Sequence, residues 1–193
     1  MKKRRLIFVP VIQILIAVVM GIAATGGSVA SAQEKPAPAA PAPAPRPRVD
    51  VATSLSLAEA RVIIEAAVAR VREDKGHAAI AVVDDNGNLV SMDRMDGTSN
   101  FFERFAVGKA VGAVALQVDT GVSAEQYKTN PQRFLSALSM LQGEVLLIRG
   151  GFPLIVDGRI VGGVGSAGHF GDGDVEAVKA GIAAWERFRQ SRR

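Results

Sequence analysis

The chain has 193 residues, 48% of them hydrophobic and 5% aromatic, with no cysteine, which excludes disulfides, thiolate catalysis and thiolate metal or haem-attachment sites. Its formal charge of +4, from 23 bases and 19 acids, arises in residues 1–32, which hold four bases and no acid. The remainder carries 19 charges of each sign, and with sparse aromatics and no basic stripe it gives no footprint for a nucleic-acid partner.

Residues 1–32 read as an export signal. Lys2, Lys3, Arg4 and Arg5 precede an apolar run from Leu6 to Ala24, interrupted by Pro10 and Gln13, and Ala30-Ser31-Ala32 supplies the small residues that signal peptidase reads. Cleavage is expected before Gln33, placing the protein in the periplasm or outside the cell. The alternative is an uncleaved membrane anchor, because the run approaches the roughly 20 residues that span a bilayer. Residues 33–52 read as a linker: six of the nine prolines lie within Gln33–Arg48 and alternate with alanine, a composition that stays extended and packs no core. One folded domain, 53–193, follows.

Ser56-Leu57-Ala58-Glu59 is a capping box, and Leu57, Ala60, Ile64, Ala67, Val68 and Val71 recur at helical spacing until Gly76 ends the helix. Ala78–Val83 reads as a buried strand, Asp85-Asn86-Gly87-Asn88 as a turn, and Leu89–Asp93 as the return strand. Asn100 and Glu103 cap a second helix running to about Leu116, whose Gly108 and Gly112 imply a closely packed neighbour. Ser123–Leu141 holds one or two short helices broken at Pro131. Leu154–Val156 and Arg159–Val161 form a second hairpin about Asp157-Gly158, leading into a glycine-rich loop with Gly162, Gly163, Gly165 and Gly168. A last helix from about Asp172 turns Val175, Val178, Ile182 and Trp185 towards the core. Two hairpins among helices make an α+β domain: an antiparallel sheet of about five strands with helices packed on it.

Gly163-x-Gly165-x-x-Gly168 matches the dinucleotide-binding fingerprint in letters alone. The fingerprint needs a helix and then a second parallel strand after the loop, and only one helix remains. His169, at the end of the glycine stretch, is a residue type that binds haem iron or a divalent metal, and His169-x-x-Asp172-x-Asp174 is a loose metal-binding pattern; a surface histidine is the plain alternative. Met92 and Met95 are possible thioether ligands to haem iron or core fillers. Lys109, inside an apolar helix, pairs with an acid such as Glu103 or Asp96, meets a carboxylate ligand, or lies along the surface.

The ordered set of these segments resembles the GlcG/HbpS family of haem-binding proteins, also labelled haem-degrading and found as the C-terminal domain of PduO proteins. The resemblance rests on Leu55-Ser56-Leu57-Ala58-Glu59-Ala60, on Ala79-Ile80-Ala81-Val82-Val83-Asp84 with Gly87 and then Arg94-Met95-Asp96, and on Lys109-Ala110 with Ala113. It extends through Gly150-Gly151-Phe152-Pro153-Leu154-Ile155 and Val161-Gly162-Gly163-Val164-Gly165-Ser166 to Asp174 and Gly181, covering nearly all of Leu55–Trp185. It implies a profilin-like layering with helices on both faces of the sheet, self-association from dimer to octamer, and haem as cofactor. His169 departs from the family's shorter polar run at this point. On this reading haem lies beside the glycine loop at Gly165 and Ser166. His169 is the candidate for iron, Met95 a further ligand candidate, and Lys109 or Arg104 faces a propionate; His169, Asp172 and Asp174 are the candidate metal ligands. Two rivals stand beside it. One is an enzyme acting on a small metabolite or degrading haem, with Lys109, Asp84, Asp96 and Asp174 as its polar groups. The other is a cofactor-free module for a membrane sensor protein.

Overall fold

The computed structural model describes residues 55–192. The expected export signal (1–32) and linker (33–52), with the domain boundary at residue 53, lie outside the described residues. The elements run α1 (Leu57–Glu73), β1 (Ala79–Asp84), β2 (Leu89–Arg94), α2 (Phe101–Leu116), α3 (Thr120–Thr129), α4 (Pro131–Met140), β3 (Gly151–Val156), β4 (Arg159–Ala167) and α5 (Gly173–Gln190). Among the described residues no single helix is long and apolar enough to cross a membrane.

The capping box forms as the sequence predicts: Ser56 Oγ accepts from the Glu59 amide (3.2 Å) and the Ser56 amide donates to Glu59 Oε2 (3.0 Å). Burial alone would push the Glu59 carboxyl up. Hydrogen bonds from Ser56, Arg189 and Trp185 outweigh it and hold the group below its ordinary range. Trp185 Nε1 and Arg189 Nη1 both donate to Glu59 Oε1, so one carboxylate caps α1 and ties it to the end of α5. Leu57 is exposed, and Ile63 takes the core position expected of it. Three further local readings change. Lys75 rather than Gly76 adopts the left-handed conformation after α1, at φ 56°. Asn100 precedes α2 but makes no side-chain cap; Glu103 instead pairs with Arg94. Pro131 opens α4 at the position where a missing amide costs nothing.

The sheet has four strands, in the order β2-β1-β4-β3, rather than about five, and every pairing is antiparallel. The Asp157-Gly158 turn has positive φ at both residues (48° and 77°), as its letters require. The glycine stretch is a strand and not a loop: Gly162, Gly163 and Gly165 lie within β4, paired with Asp84, Val83 and Ala81 of β1, and Gly168 alone falls beyond it.

The faces of this sheet differ sharply. Ile80, Val82, Leu154 and Val164 point to one side and pack with Ile63, Ile64, Val71, Val178 and Trp185 of α1 and α5. Burial of each such side chain contributes about 1.5–3 kcal/mol. The opposite face presents Ala79, Ala81 and Ala167 against Ala106 of α2. Between them the sheet is nearly bare, because Gly151, Gly163 and Gly165 share that side. A Cβ on Gly163 would fall 2.6 Å from the Ala110 carbonyl oxygen, and one on Gly165 or Gly151 would run into the carbonyl oxygen of Ala106 or Lys109. The glycines admit a close neighbour, and the neighbour is the backbone of α2.

Gly165→Ala is therefore expected to destabilise the domain by about 1–3 kcal/mol, the usual cost of overpacking, read as a lower urea midpoint. Gly171→Ala meets no atom within 4 Å and changes only a left-handed residue at φ 66°, so its cost is expected to be the smaller, about 1 kcal/mol. Equal midpoints for the two variants would show that α2 is not seated on the sheet in this way.

Candidate functional site

α2 turns Lys109 towards the end of β4, where it is 4% exposed. Its Nζ donates to the Ser166 carbonyl oxygen (2.7 Å) and to Asp174 Oδ2 (2.8 Å). The other Asp174 oxygen accepts from Ser166 Oγ (3.0 Å) and from the His169 amide (3.1 Å). The partner of Lys109 is thus Asp174, not Glu103 or Asp96. A buried ammonium needs such a partner, since leaving it unpaired costs several kcal/mol. The aspartate gains as well from its place in the first turn of α5. Gly150 closes the cluster: a Cβ there would come within 2.9 Å of Asp174 Cβ and 3.2 Å of Lys109 Nζ. The ammonium is committed to these partners within the fold.

His169 has a comparable internal role. Its Nε2 lies 3.1 Å from Asp74 Oδ2 just beyond α1, and its ring fits between two glycines. A Cβ on Gly76 would be 2.7 Å from Nδ1, and one on Gly173 would overlap the ring. One nitrogen therefore faces a carboxylate and the other faces backbone. Asp74 is held below its ordinary carboxylate range by the hydrogen bond from Arg70 and then by the one from His169. Asp172 pairs with Arg149 and Asp174 with Lys109, so the His169, Asp172 and Asp174 pattern does not converge. Among the described residues no group of three His, Cys, Asp or Glu side chains is placed to hold a metal.

Of the polar groups of the enzyme reading, only Lys109 and Asp174 meet. Asp84 accepts from the Asn86 and Asn88 amides within the hairpin turn (2.9 and 2.8 Å). Asp96 lines a polar groove with Val68, Arg72, Met92, Asp93, Arg94 and Met95. Met95 also packs against the larger core. Gly165 and Ser166 lie beneath α2 and inside the Lys109 cluster.

A different surface of α2 forms an apolar groove of about 560 Å³. Arg104, Val107, Gly108 and Val111 recur at i, i+3, i+4 and i+7 along its wall, the face opposite Ala106 and Ala110. Met92 of β2, Glu103 and Phe105 of α2, and Gly143, Glu144, Val145 and Leu146 of the connection before β3 complete it. The connection is seated by the Leu146 amide, which donates to the Gly108 carbonyl oxygen (2.9 Å). A Cβ at Gly108 would come within 3.1 Å of Leu146, so the close neighbour that Gly108 implies is this segment. Arg104 is exposed on the groove wall and makes no ion pair among the described residues. Of the candidates drawn from the sequence, Arg104 and Met92 reach the groove, while Met95, Lys109, His169, Gly165 and Ser166 lie elsewhere. Val145 and Leu146 were not foreseen; the apolar run Val145–Ile148 is the signal that marks them.

Comparison with known proteins follows this geometry closely. A sequence model described as haem degrading protein HbpS-like matches residues 55–183. Protein GlcG of Escherichia coli strain K12 is 30% identical over 106 residues, which span 55% of this chain and 75% of GlcG. The crystal structure of a PduOC:heme complex matches with a TM-score of 0.61 at 28% identity, covering 68% of this chain and 94% of PduOC. A double mutant of HbpS from Streptomyces reticuli matches with a TM-score of 0.62 at 30% identity, covering 77% of this chain and 97% of its own.

Removing the ammonium while leaving its aspartate should cost more than removing both charges. Lys109→Met is expected to lose about 3–5 kcal/mol, and the Lys109→Met/Asp174→Asn double variant to recover part of that loss. Urea denaturation of the three proteins reads the coupling, and strictly additive losses would contradict it.

Proposed function

The chain belongs to the HbpS-like family, and on that premise we propose that it binds haem in the apolar groove beside α2. The observation that carries this reading is the groove's lining. Haem is a flat apolar ring with two carboxylates at one edge. The groove offers Val107, Val111, Val145, Leu146 and Phe105 to the ring and one unpaired guanidinium, Arg104, to a carboxylate; it also carries Glu103, which Arg94 pairs, and Glu144. Its volume falls within the roughly 300–1,000 Å³ usual for small-molecule sites. The residues present therefore fit the group. Val107 and Val111 would hold the ring against α2, Leu146 and Val145 would exclude water from its other side, and Arg104 would fix its orientation. Bound haem supplies iron chemistry, and the protein supplies placement and environment. Lys109 and Asp174 are committed to each other while Asp84 and Asp96 lie elsewhere, and this supports binding over catalysis.

We further propose that the protein is exported, as the charged and apolar stretches of residues 1–32 suggest, and that it works as a self-associated form in haem or iron handling. Support for self-association comes from α4, which among the described elements packs on α3 alone and leaves Leu135 54% and Met140 82% exposed. An extended Pro/Ala tether would suit an approach to a membrane sensor protein.

Hemin added to the purified protein is expected to give a shifted Soret band that saturates. Arg104→Ala should weaken binding about tenfold, equivalent to 1.4 kcal/mol, and Val111→Trp, which fills the groove, should abolish it. His169→Ala should leave the spectrum unchanged. Loss of the band in His169→Ala with full retention in Val111→Trp would place haem at the histidine instead. Protein recovered from outside the inner membrane is expected to begin at Gln33 and to show, by light scattering, a multiple of the chain mass; an intact N-terminus would identify a membrane anchor.

A further inference from the structure

Met92 lines the apolar groove and also borders the polar groove that holds Met95 and Asp96. It lies in β2 directly opposite Ala81 of β1, so it stands on the same face of the sheet as the small residues beneath α2. α2 rests mainly on β4, β1 and β3 and barely reaches β2. The Met92 side chain is therefore half-buried at the margin of the helix and opens to the groove. Met95, three residues on, packs against the larger core on the other side. Of the residues lining the groove, Met92 alone belongs to the types that commonly bind haem iron, which are histidine, cysteine, methionine and tyrosine. Both histidines lie outside the groove, the one tyrosine is Tyr127 of α3, and the chain has no cysteine.

Resting on the haem-binding reading, we infer that Met92 gives the iron its axial thioether ligand, and that the site consequently favours ferrous over ferric haem. The chemistry runs in that direction because a thioether is a soft, uncharged ligand that matches the lower oxidation state better than the higher. A methionine ligand raises the haem potential for the same reason. The apolar walls act in the same sense, since burial beside hydrocarbon disfavours the extra positive charge of the ferric state, while Glu103 and Glu144 at the groove act against it. Arg104, at the groove wall, acts on the carboxylates and not on the iron.

The test is a titration of the full chain with ferric hemin and, separately, with haem kept reduced by dithionite, followed by absorbance for the parent protein and for Met92→Leu, Met92→His and Met95→Leu. The parent is expected to bind ferrous haem at least tenfold more tightly than ferric. Met92→Leu keeps nearly the same volume, so the fold should persist; haem should still bind, with the ferrous preference lost and the reduction potential lowered. Met92→His should give a spectrum different from the parent and reverse the preference, and Met95→Leu should match the parent. A preference for ferrous haem that is unchanged in Met92→Leu overturns the ligand assignment while leaving haem binding in place. No Soret change in the parent with either form overturns the haem reading and the ligand assignment together.

Discussion

Everything on one side of this sheet depends on how closely α2 can approach it. Gly151, Gly163 and Gly165 remove the side chains that would hold a helix away, and the carbonyls of Ala106, Lys109 and Ala110 come to rest where Cβ atoms would otherwise stand. Such an interface buries little hydrocarbon and gains instead from dense contact over backbone surfaces, where dispersion accumulates. It also fixes the rotation of α2. With Ala106 and Ala110 turned to the sheet, Lys109 is carried to the end of β4, and Arg104, Val107, Gly108 and Val111 are carried to the outside. The buried cluster and the open groove are thus two results of one packing constraint.

The Lys109–Asp174 pair then closes the fold around the small-residue face. It joins the middle of α2 to the first turn of α5 and the last residues of β4. Replacing such a pair by well-packed apolar groups is often neutral or stabilising, so its value here lies in position. The same aspartate holds the His169 amide, and that places the histidine ring against Asp74 and between Gly76 and Gly173. A residue whose letters suggest an open ligand is in this way absorbed into a seam between α1 and α5.

Local chemistry in the sequence carried much of this. The Ser56–Glu59 capping box, the Asp157-Gly158 turn, the break at Pro131 and the hairpin about Gly87 were legible because each depends on residues within a few positions of one another. Features set by distant partners were not. Lys109 meets Asp174 across 65 positions and His169 meets Asp74 across 95, and nothing in the spacing of either names the other. Composition alone reads the glycine run as a loop, because glycine has low strand propensity; pairing with β1 on one side and β3 on the other overrides that preference. Asn100 looked like a cap, but its backbone is already helical there (φ −60°, ψ −20°), which denies its side chain the reach a cap requires. The groove was half legible: Arg104 and Met92 were candidates, while the Val145-Leu146 wall arrives by a connection whose path only the folded chain reveals.

The contrast between the two faces of the sheet also governs how this domain can change. On the side of Ile80, Val82 and Val164, one aliphatic residue can replace another with compensating shifts nearby, so many neighbouring sequences remain open. Under α2 the glycines already hold the smallest possible side chain, and every substitution there adds volume against a helix backbone that has no rotamer to yield. Variation is therefore pushed outward, to the solvent side of α2. There Arg104 and Val111 can be exchanged without disturbing the seat of the helix, whereas Val107 still packs against the small-residue cluster, and the groove can change while the architecture beneath it stays fixed.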